Sequence, residues 1–241
     1  MKKIGKFILS DRLFELNEKL LSLRLEGKIH LKNGDIGYAS APSNIALLKY
    51  WGKKESPSQS PLNTSLSYTL GGFRSFTKIE TQNSFLDVSF LKSKSDIKKT
   101  PLSHSLSLNG KAHESLEEKM NLWLSSLLSP WAHDIALSVT SFNNFPTACG
   151  IASSASGYAA MLGAISDMIH LSKHFSSTEL SYWLSQWSRL GSGSSCRSTF
   201  RSSHFVEWDY NEDIGENTVR DVVYNKVFES LGHCVIILDE Q

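Results

Sequence analysis

The sequence predicts an α+β domain in which an early group of strands is followed by a group of helices. Strand-like patterns concentrate in the first half of the 241-residue chain, and helical patterns dominate the second half. A loop of small residues lies between a predicted strand and a predicted helix, and no GxGxxG pattern is present. These observations favour an α/β sandwich over a doubly wound parallel sheet or a Rossmann fold.

The first part of the chain predicts a helix and then a group of strands. Residues 10–26 carry leucines among charged residues, with Ser10 or Asp11 as a cap, and we interpret residues 1–34 as an N-terminal helical extension. Residues 36–41 form a short strand that runs into Pro42. Further strands are predicted at 64–70, 75–80 and 85–91, with Gly71 and Gly72 as the hairpin turn between the first two and a solvated loop at 92–99.

The second part of the chain predicts alternating helices and short strands. Strands are expected at 105–108, 133–142, 203–208 and 233–238, and helices at 113–128, 152–170 and 177–188. The apolar residues of the 113–128 helix recur at helical spacing, which indicates a core-facing stripe and not a cofactor site: Leu116, Met120, Trp123, Leu124 and Leu127.

Residues 143–157 have the features of a phosphate-binding loop that opens a helix. Pro146 and Gly150 interrupt regular structure before small, helix-compatible residues begin at Ala152. Free backbone N–H groups and the positive end of the helix dipole suit a polyphosphate, and the hydroxyls of Ser153 and Ser154 can add hydrogen bonds or a magnesium contact. The same residues would also suit a Ser-capped helix packed closely against a sheet.

Residues 41–54 place three lysines and two aromatic residues close together. If this stretch turns helically, Lys49 and Lys53 share a face and can hold one polyanion between them, with the Tyr50 hydroxyl as a third donor. The alternative is a solvated lysine edge beside buried Tyr50 and Trp51.

Residues 189–198 combine alternating glycines and serines with an arginine. Main-chain N–H groups and hydroxyls are exposed together, and Arg197 can grip a carboxylate or phosphate bidentately. Alone, this stretch could equally be a flexible loop. We interpret Cys196 as a small packing residue and not a nucleophile.

Composition excludes several classes of protein. Lys plus Arg is 25 against 24 for Asp plus Glu, so no large net charge favours nucleic acid or anionic membrane. The three cysteines are widely spaced, which argues against a disulfide framework or a zinc site and fits a reducing cytoplasm. No HExxH motif is present, which argues against a metalloprotease. No stretch is long enough for a signal peptide or a membrane span.

Together the three segments resemble the diphosphomevalonate decarboxylase family of the GHMP kinase superfamily. Its members are similar at APxNIALxKYWGK, NxFPTAxGLASSAS and RxGSGSxxRS, in the same order, and the resemblance covers about residues 39–238. It implies a GHMP-kinase-type N-terminal α/β sandwich at 35–228. It also implies ATP and Mg²⁺ as cofactors, and a homodimer that decarboxylates mevalonate diphosphate to isopentenyl diphosphate.

The resemblance also implies a role for individual residues. Lys49 and Arg197 would be catalytic, with Arg197 holding the substrate carboxylate, and Ser154 would contact the metal. Gly150, Ala152, Ser153 and Ser154 would bind the nucleotide. The residues implied around the substrate are Asn44, Tyr50, Trp51, Lys53, Ser192, Gly193, Ser194 and Arg197.

Two departures from the family pattern stand out. Residues 200–208 are longer than the family's aromatic-Gly-Gly stretch and lack both glycines. The family's ferredoxin-like C-terminal domain, which supplies a catalytic aspartate, is expected to be largely absent, with only its start at 229–241. The chain alone is therefore expected to be poorly active. Alternatives are a mevalonate-type 3-kinase that does not decarboxylate and a non-catalytic copy that binds nucleotide or diphosphate.

Overall fold

The computed structural model of the protein describes residues 2–52, 60–82, 104–146, 150–200, 205–213, 215–222 and 234. The predicted strand at 85–91, the loop at 92–99, Lys53 and, apart from residue 234, the predicted strand at 233–238 lie outside these residues. Helices are α1 (Asp11–Leu25), α2 (Glu114–Leu128), α3 (Ser153–Met168) and α4 (Ser177–Gly191). Strands are β1 (Lys2–Ile4), β2 (Phe7–Leu9), β3 (Ile36–Leu48), β4 (Ser65–Gln82), β5 (Ser105–Leu108), β6 (Lys111–Ala112), β7 (Ala136–Asn143), β8 (Phe205–Asn211) and β9 (Glu216–Asp221).

The described strands form a two-stranded hairpin and one larger sheet. In the larger sheet the order is β6-β5-β7-β4-β8-β9, and β3 pairs with β4. The β5–β7 pair is parallel, whereas the other pairs are antiparallel. Helix α3 packs against β3 and β4, which gives the sandwich that the sequence predicts.

Strand β3 is longer than predicted, because it continues through Pro42 to Leu48. A register shift falls between Pro42 and Ser43, where the partner residue on β4 jumps from Arg74 to Leu70. Such an irregularity lets a proline occupy a strand without a ladder hydrogen bond from its nitrogen. Residues 43–48 are therefore extended, and the helical turn considered for Lys49 and Lys53 ends on a residue outside the described ranges.

The predicted hairpin at Gly71 and Gly72 is also wrong. The two segments that it was expected to separate are one strand, β4, and both halves pair with β3. The glycines lie within the residues that the register shift passes over. They allow the strand to bend instead of reverse.

The helical predictions are confirmed to within a few residues. Helix α1 begins after Ser10, whose side chain accepts a hydrogen bond from the Leu13 N–H. Helix α4 begins with a capping box in which Ser176 and Glu179 satisfy each other's backbone N–H groups. No helix in the described part of the chain has the length and apolar character that a membrane crossing needs.

The main core lies between the sheet and the helices and includes the N-terminal segment. Trp123, Trp183 and Trp187 are fully buried in it. Six apolar residues from the first 30 positions are buried in the same cluster: Phe7, Leu9, Leu13, Leu16, Leu20 and Ile29. The β1–β2 hairpin and α1 thus pack into the domain.

Candidate functional site

The residues described just before α3, 150–152, have a backbone conformation that suits anion binding at a helix start. Gly150 has φ +82°, which favours glycine, and Ala152 adopts a left-handed conformation as the residue that caps α3. A left-handed alanine is strained by about 1 kcal/mol or more, and such strain concentrates at functional sites. Within the described residues the N–H groups of Ser153 and Ser154 have no backbone acceptor, so they remain available to an anion.

An apolar cavity of about 340 Å³ lies beside the start of α3. Ser153, Ser154 and Gly157 form its α3 side together with Tyr158 and Met161, and α2 and β5 supply the opposite walls. Leu116 and Met120 line this cavity, although their spacing predicted only a core stripe; Leu116 is 39% exposed. The sequence pattern does not single out Leu106, Leu108 and Tyr158, because an apolar cavity wall and a core have the same pattern.

The segment after α4 is a buried turn and not a flexible loop. Residues Gly193–Ser198 form a 3₁₀ helix, referred to below as the arginine turn. A Cβ atom at Gly193 would lie 2.9 Å from the Tyr50 hydroxyl and 3.2 Å from the Trp208 ring, so only glycine fits without displacement. The Ser195 hydroxyl donates to the Ala155 carbonyl at 2.7 Å, which fastens the turn to α3.

Arg197 is the most informative side chain of the turn. Its residue is only 2% exposed. One terminal nitrogen donates to the Ser65 hydroxyl and the other to Asn44 Oδ1 at 3.4 Å, whereas Nε has no partner among the described residues. A guanidinium with no carboxylate hydrogen-bonded to it and one donor unused is suited to an anionic ligand. Burial lowers its pKa, against the opposing effects of Cys196 and Tyr50.

Asn44 connects β3 to the arginine turn. Its side-chain nitrogen donates to the Ser198 hydroxyl at 2.7 Å and to the Ser194 carbonyl at 3.3 Å, while its oxygen accepts from Arg197. Asn44 is therefore a scaffold residue that fixes the direction of the guanidinium.

The aromatic residues near the turn differ in burial. Tyr50 is half-buried, and its ring meets Trp208 edge-on with centroids 4.9 Å apart. Burial raises the pKa of Tyr50, although Arg197 opposes the rise, so its hydroxyl stays a neutral donor near pH 7. Trp51 is 76% exposed, and Lys49 is exposed as well. Among these residues the structure thus shows contact with the turn for Tyr50.

The two loops meet at a pair of serines. The Ser154 and Ser192 hydroxyls are 3.3 Å apart, so the start of α3 and the start of the arginine turn face one region of the molecule.

Burial raises the pKa of Cys196 to about 12, which supports its interpretation as a packing residue. Within the described ranges, no group of three or more His, Cys, Asp or Glu residues forms a metal site.

This geometry defines an α+β sandwich with a helix start that suits a polyphosphate and, close to it, a buried arginine that suits an anionic ligand. Comparison with known proteins agrees. The family model of the diphosphomevalonate decarboxylase-like N-terminal domain matches residues 41–220, and the chain belongs to that family.

Relatives and solved structures give the extent of the similarity. Diphosphomevalonate decarboxylase from Candida albicans is 37% identical over 70% of this chain and 44% of its own length. The enzyme from Saccharomyces cerevisiae is 31% identical over 83% of this chain and 49% of its own length. The crystal structure of mevalonate diphosphate decarboxylase from Staphylococcus aureus matches with a TM-score of 0.65 and 29% identity, over 81% of this chain and 52% of that one. The chain spans about half the length of these proteins.

One further solved structure bears on ligands. MDDEF in complex with MVAPP, AMPPCP and magnesium matches with a TM-score of 0.62 and 30% identity, over 79% of this chain and 51% of that one. That protein therefore holds an ATP analogue, magnesium and MVAPP together.

Proposed function

We propose that this chain forms the nucleotide- and substrate-binding part of an ATP-dependent decarboxylase that converts mevalonate 5-diphosphate to isopentenyl diphosphate, in the mevalonate pathway of isoprenoid biosynthesis. The observation that carries the proposal is buried Arg197, with an unused Nε donor, next to a strained helix start. A buried cation of this kind needs an anion, and a substrate carboxylate supplies one.

The proposed nucleotide site is the start of α3. Gly150 and Ala152 let phosphate approach the main chain, and Ser153 and Ser154 donate to its oxygens. The apolar cavity beside them suits an aromatic base, so the residues fit ATP. Ser154 would contact Mg²⁺, and the ion would neutralise charge on the transferring phosphoryl group.

The proposed substrate site is the arginine turn with residues 49–53. Tyr50, Trp51, Lys53, Ser192, Gly193 and Ser194 would surround the diphosphate. Lys49 and Arg197 would act at the reacting end, and Asn44 would hold Arg197 in place. Exposed Lys49 and Trp51 would reach the substrate from the rim of the site.

The proposed reaction has two stages. The 3-hydroxyl oxygen of the substrate attacks the γ-phosphorus of ATP, its proton passes to a carboxylate base, which the family resemblance implies is an aspartate of a second domain, and ADP leaves. The bond between C3 and the new phosphate then breaks while carbon dioxide departs, and the electron pair of the broken carbon–carbon bond forms the alkene. Arg197 orients the carboxylate, and fixed positive charge near the phosphoryl oxygens lowers the barrier.

We further propose a cytoplasmic homodimer organised in three regions. Residues 1–34 are an extension that packs into the core of the ATP- and substrate-binding domain at 35–228, and 229–241 are the start of a second domain. The widely spaced, odd number of cysteines supports the reducing compartment.

The proposal is tested by ligand binding and by coupled assays of ADP and carbon dioxide release on purified protein. We expect Arg197→Lys to lose nearly as much mevalonate diphosphate affinity as Arg197→Ala, because a point charge cannot reproduce a planar grip. Ser154→Ala should lower phosphoryl transfer by about 2–4 kcal/mol of transition-state stabilisation and leave mevalonate diphosphate binding unchanged. Arg220→Lys, at an exposed position, is the matched control.

The products decide between the alternatives. ADP together with carbon dioxide supports decarboxylation, and ADP alone indicates a 3-kinase. Binding of AMPPCP or mevalonate diphosphate without either product indicates a non-catalytic copy. Full affinity in Arg197→Ala would remove the assignment of this residue to the substrate carboxylate.

A further inference from the structure

A second cavity, of about 440 Å³, lies on another part of the molecule. It is bounded by the N-terminal half of α4, by β9 and by the first turn of α1, and it shares no described lining residue with the cavity beside α3. Neither the proposed reaction nor the family comparison uses it. The inference below does not depend on the proposed function.

Two residues of opposite charge lie on its wall. Arg12 extends from α1 and stacks on Tyr182, with its guanidinium carbon 4.1 Å from the ring centroid. Glu216 comes from the start of β9 and interacts electrostatically with the buried Arg189 guanidinium. Among the described residues neither the Arg12 nor the Glu216 side chain forms an ion pair or a hydrogen bond, and both line the cavity, where they can face a ligand.

The rest of the wall is rich in hydroxyl groups and is held rigidly. Ser181, Ser185 and Thr218 line it together with Tyr182, whose hydroxyl lies 2.7 Å from that of Ser10. The buried side chain of Gln186 donates to the Asn217 carbonyl at 3.0 Å and accepts from Arg189 at 2.8 Å. The bond from Gln186 to Asn217 ties α4 to β9, and the bond from Arg189 holds the Gln186 side chain in place.

We propose that this cavity is a binding site for a small zwitterion of the α-amino-acid class. The ligand carboxylate pairs with Arg12, its ammonium pairs with Glu216, and its side chain meets the serine and threonine hydroxyls. A ligand that carries both charges neutralises both walls, whereas a simple anion would face Glu216 and a simple cation would face Arg12.

The test is calorimetric titration of the purified chain with each standard L-amino acid, and separately with acetate, methylamine and glycerol. We expect at least one amino acid to bind, and the single-charge and uncharged compounds to bind about tenfold more weakly or not at all. Arg12→Gln and Glu216→Gln should each weaken that binding about tenfold or more, since each removes one charge-assisted contact.

Controls separate this site from the proposed active site. Arg220→Gln removes a guanidinium from the same strand, where it pairs with Glu207, and should leave amino-acid binding unchanged. Arg12 is exposed, so its variant should fold, and its AMPPCP affinity should match that of the parent protein. The proposal is overturned if no amino acid binds at ~10 mM, if acetate binds as well as the amino acid, or if neither variant weakens binding.

Discussion

Replacement of Asn17 tests how strongly the N-terminal segment stabilises the domain. Asn17 lies on α1 and is fully buried. Its Oδ1 accepts hydrogen bonds from the indole nitrogens of Trp183 at 3.3 Å and Trp187 at 3.2 Å, both on α4. Its Nδ2 has no partner among the described residues. One side-chain oxygen therefore satisfies two buried donors.

The magnitude follows from counting the polar groups left without partners. Asn17→Leu leaves two buried indole N–H groups without an acceptor, at a cost of about 1–3 kcal/mol each. It also removes one buried amide nitrogen that already has no partner among the described residues, which recovers about 1–3 kcal/mol. The net destabilisation should be about 2 kcal/mol. Asn17→Ala leaves the same donors unpaired and also opens a cavity, so its cost should exceed that of Asn17→Leu by about 1 kcal/mol or more.

The assay is urea unfolding monitored by circular dichroism and tryptophan fluorescence, with m-values compared between variants. Ser22→Ala, at an exposed position of the same helix, is the control and should change stability by less than about 0.5 kcal/mol. If Asn17→Leu were as stable as the parent protein, the two indoles would not depend on this acceptor and the reasoning would fail.

Two other predictions concern single buried positions. Gly193→Ala should destabilise the fold by about 1–3 kcal/mol in the same unfolding assay, because the new Cβ would press on Tyr50 and Trp208. Gly72→Ala is the control, since a Cβ there would enter open space, and an equal loss of stability in that variant would contradict the packing argument. Burial lowers the pKa of His104 to about 4, and its Nδ1 accepts from the Leu137 N–H. The folded-state pKa lies below the unfolded value of 6.5, so the stability that neutral His104 contributes is fully present above pH 6.5. It is lost as the pH falls towards 4, and the total loss of stability should be about 3 kcal/mol. A His104→Gln variant should show a flatter loss of stability with acid, measured by urea titrations across that range, and an unchanged slope would refute the assignment.

The sequence predicted the helices better than the long strands. Helix periodicity and caps are local, and Ser10 and Ser176 mark helix starts that the structure confirms. Strands β3 and β4 depend on pairing between distant residues. Pro42 and Gly71 were therefore interpreted by their local preferences, whereas pairing of β3 with both halves of β4 decides the outcome.

For the candidate site, the sequence identified the loops but not the contacts that hold them. The phosphate loop and the arginine turn carry recognisable local patterns. Ser65 lies far away in the chain from Arg197, to which it bonds, and Trp208 lies far away from Tyr50, on which it packs. Nothing in the spacing of a serine or a tryptophan indicates which distant side chain it will meet.

Because the β1–β2 hairpin and α1 pack into the core, the folded unit and the region that the family model matches begin at different residues. The family model begins at residue 41, and this marks the stretch that related proteins share. The unit that must fold begins near residue 2, because Phe7, Leu13 and Leu20 complete the core around the α4 tryptophans. A protein trimmed to 41–220 would keep every described residue of the candidate site, yet it would expose the face on which those side chains rest. The region that the family model matches and the residues that complete the core of this chain therefore begin at different positions.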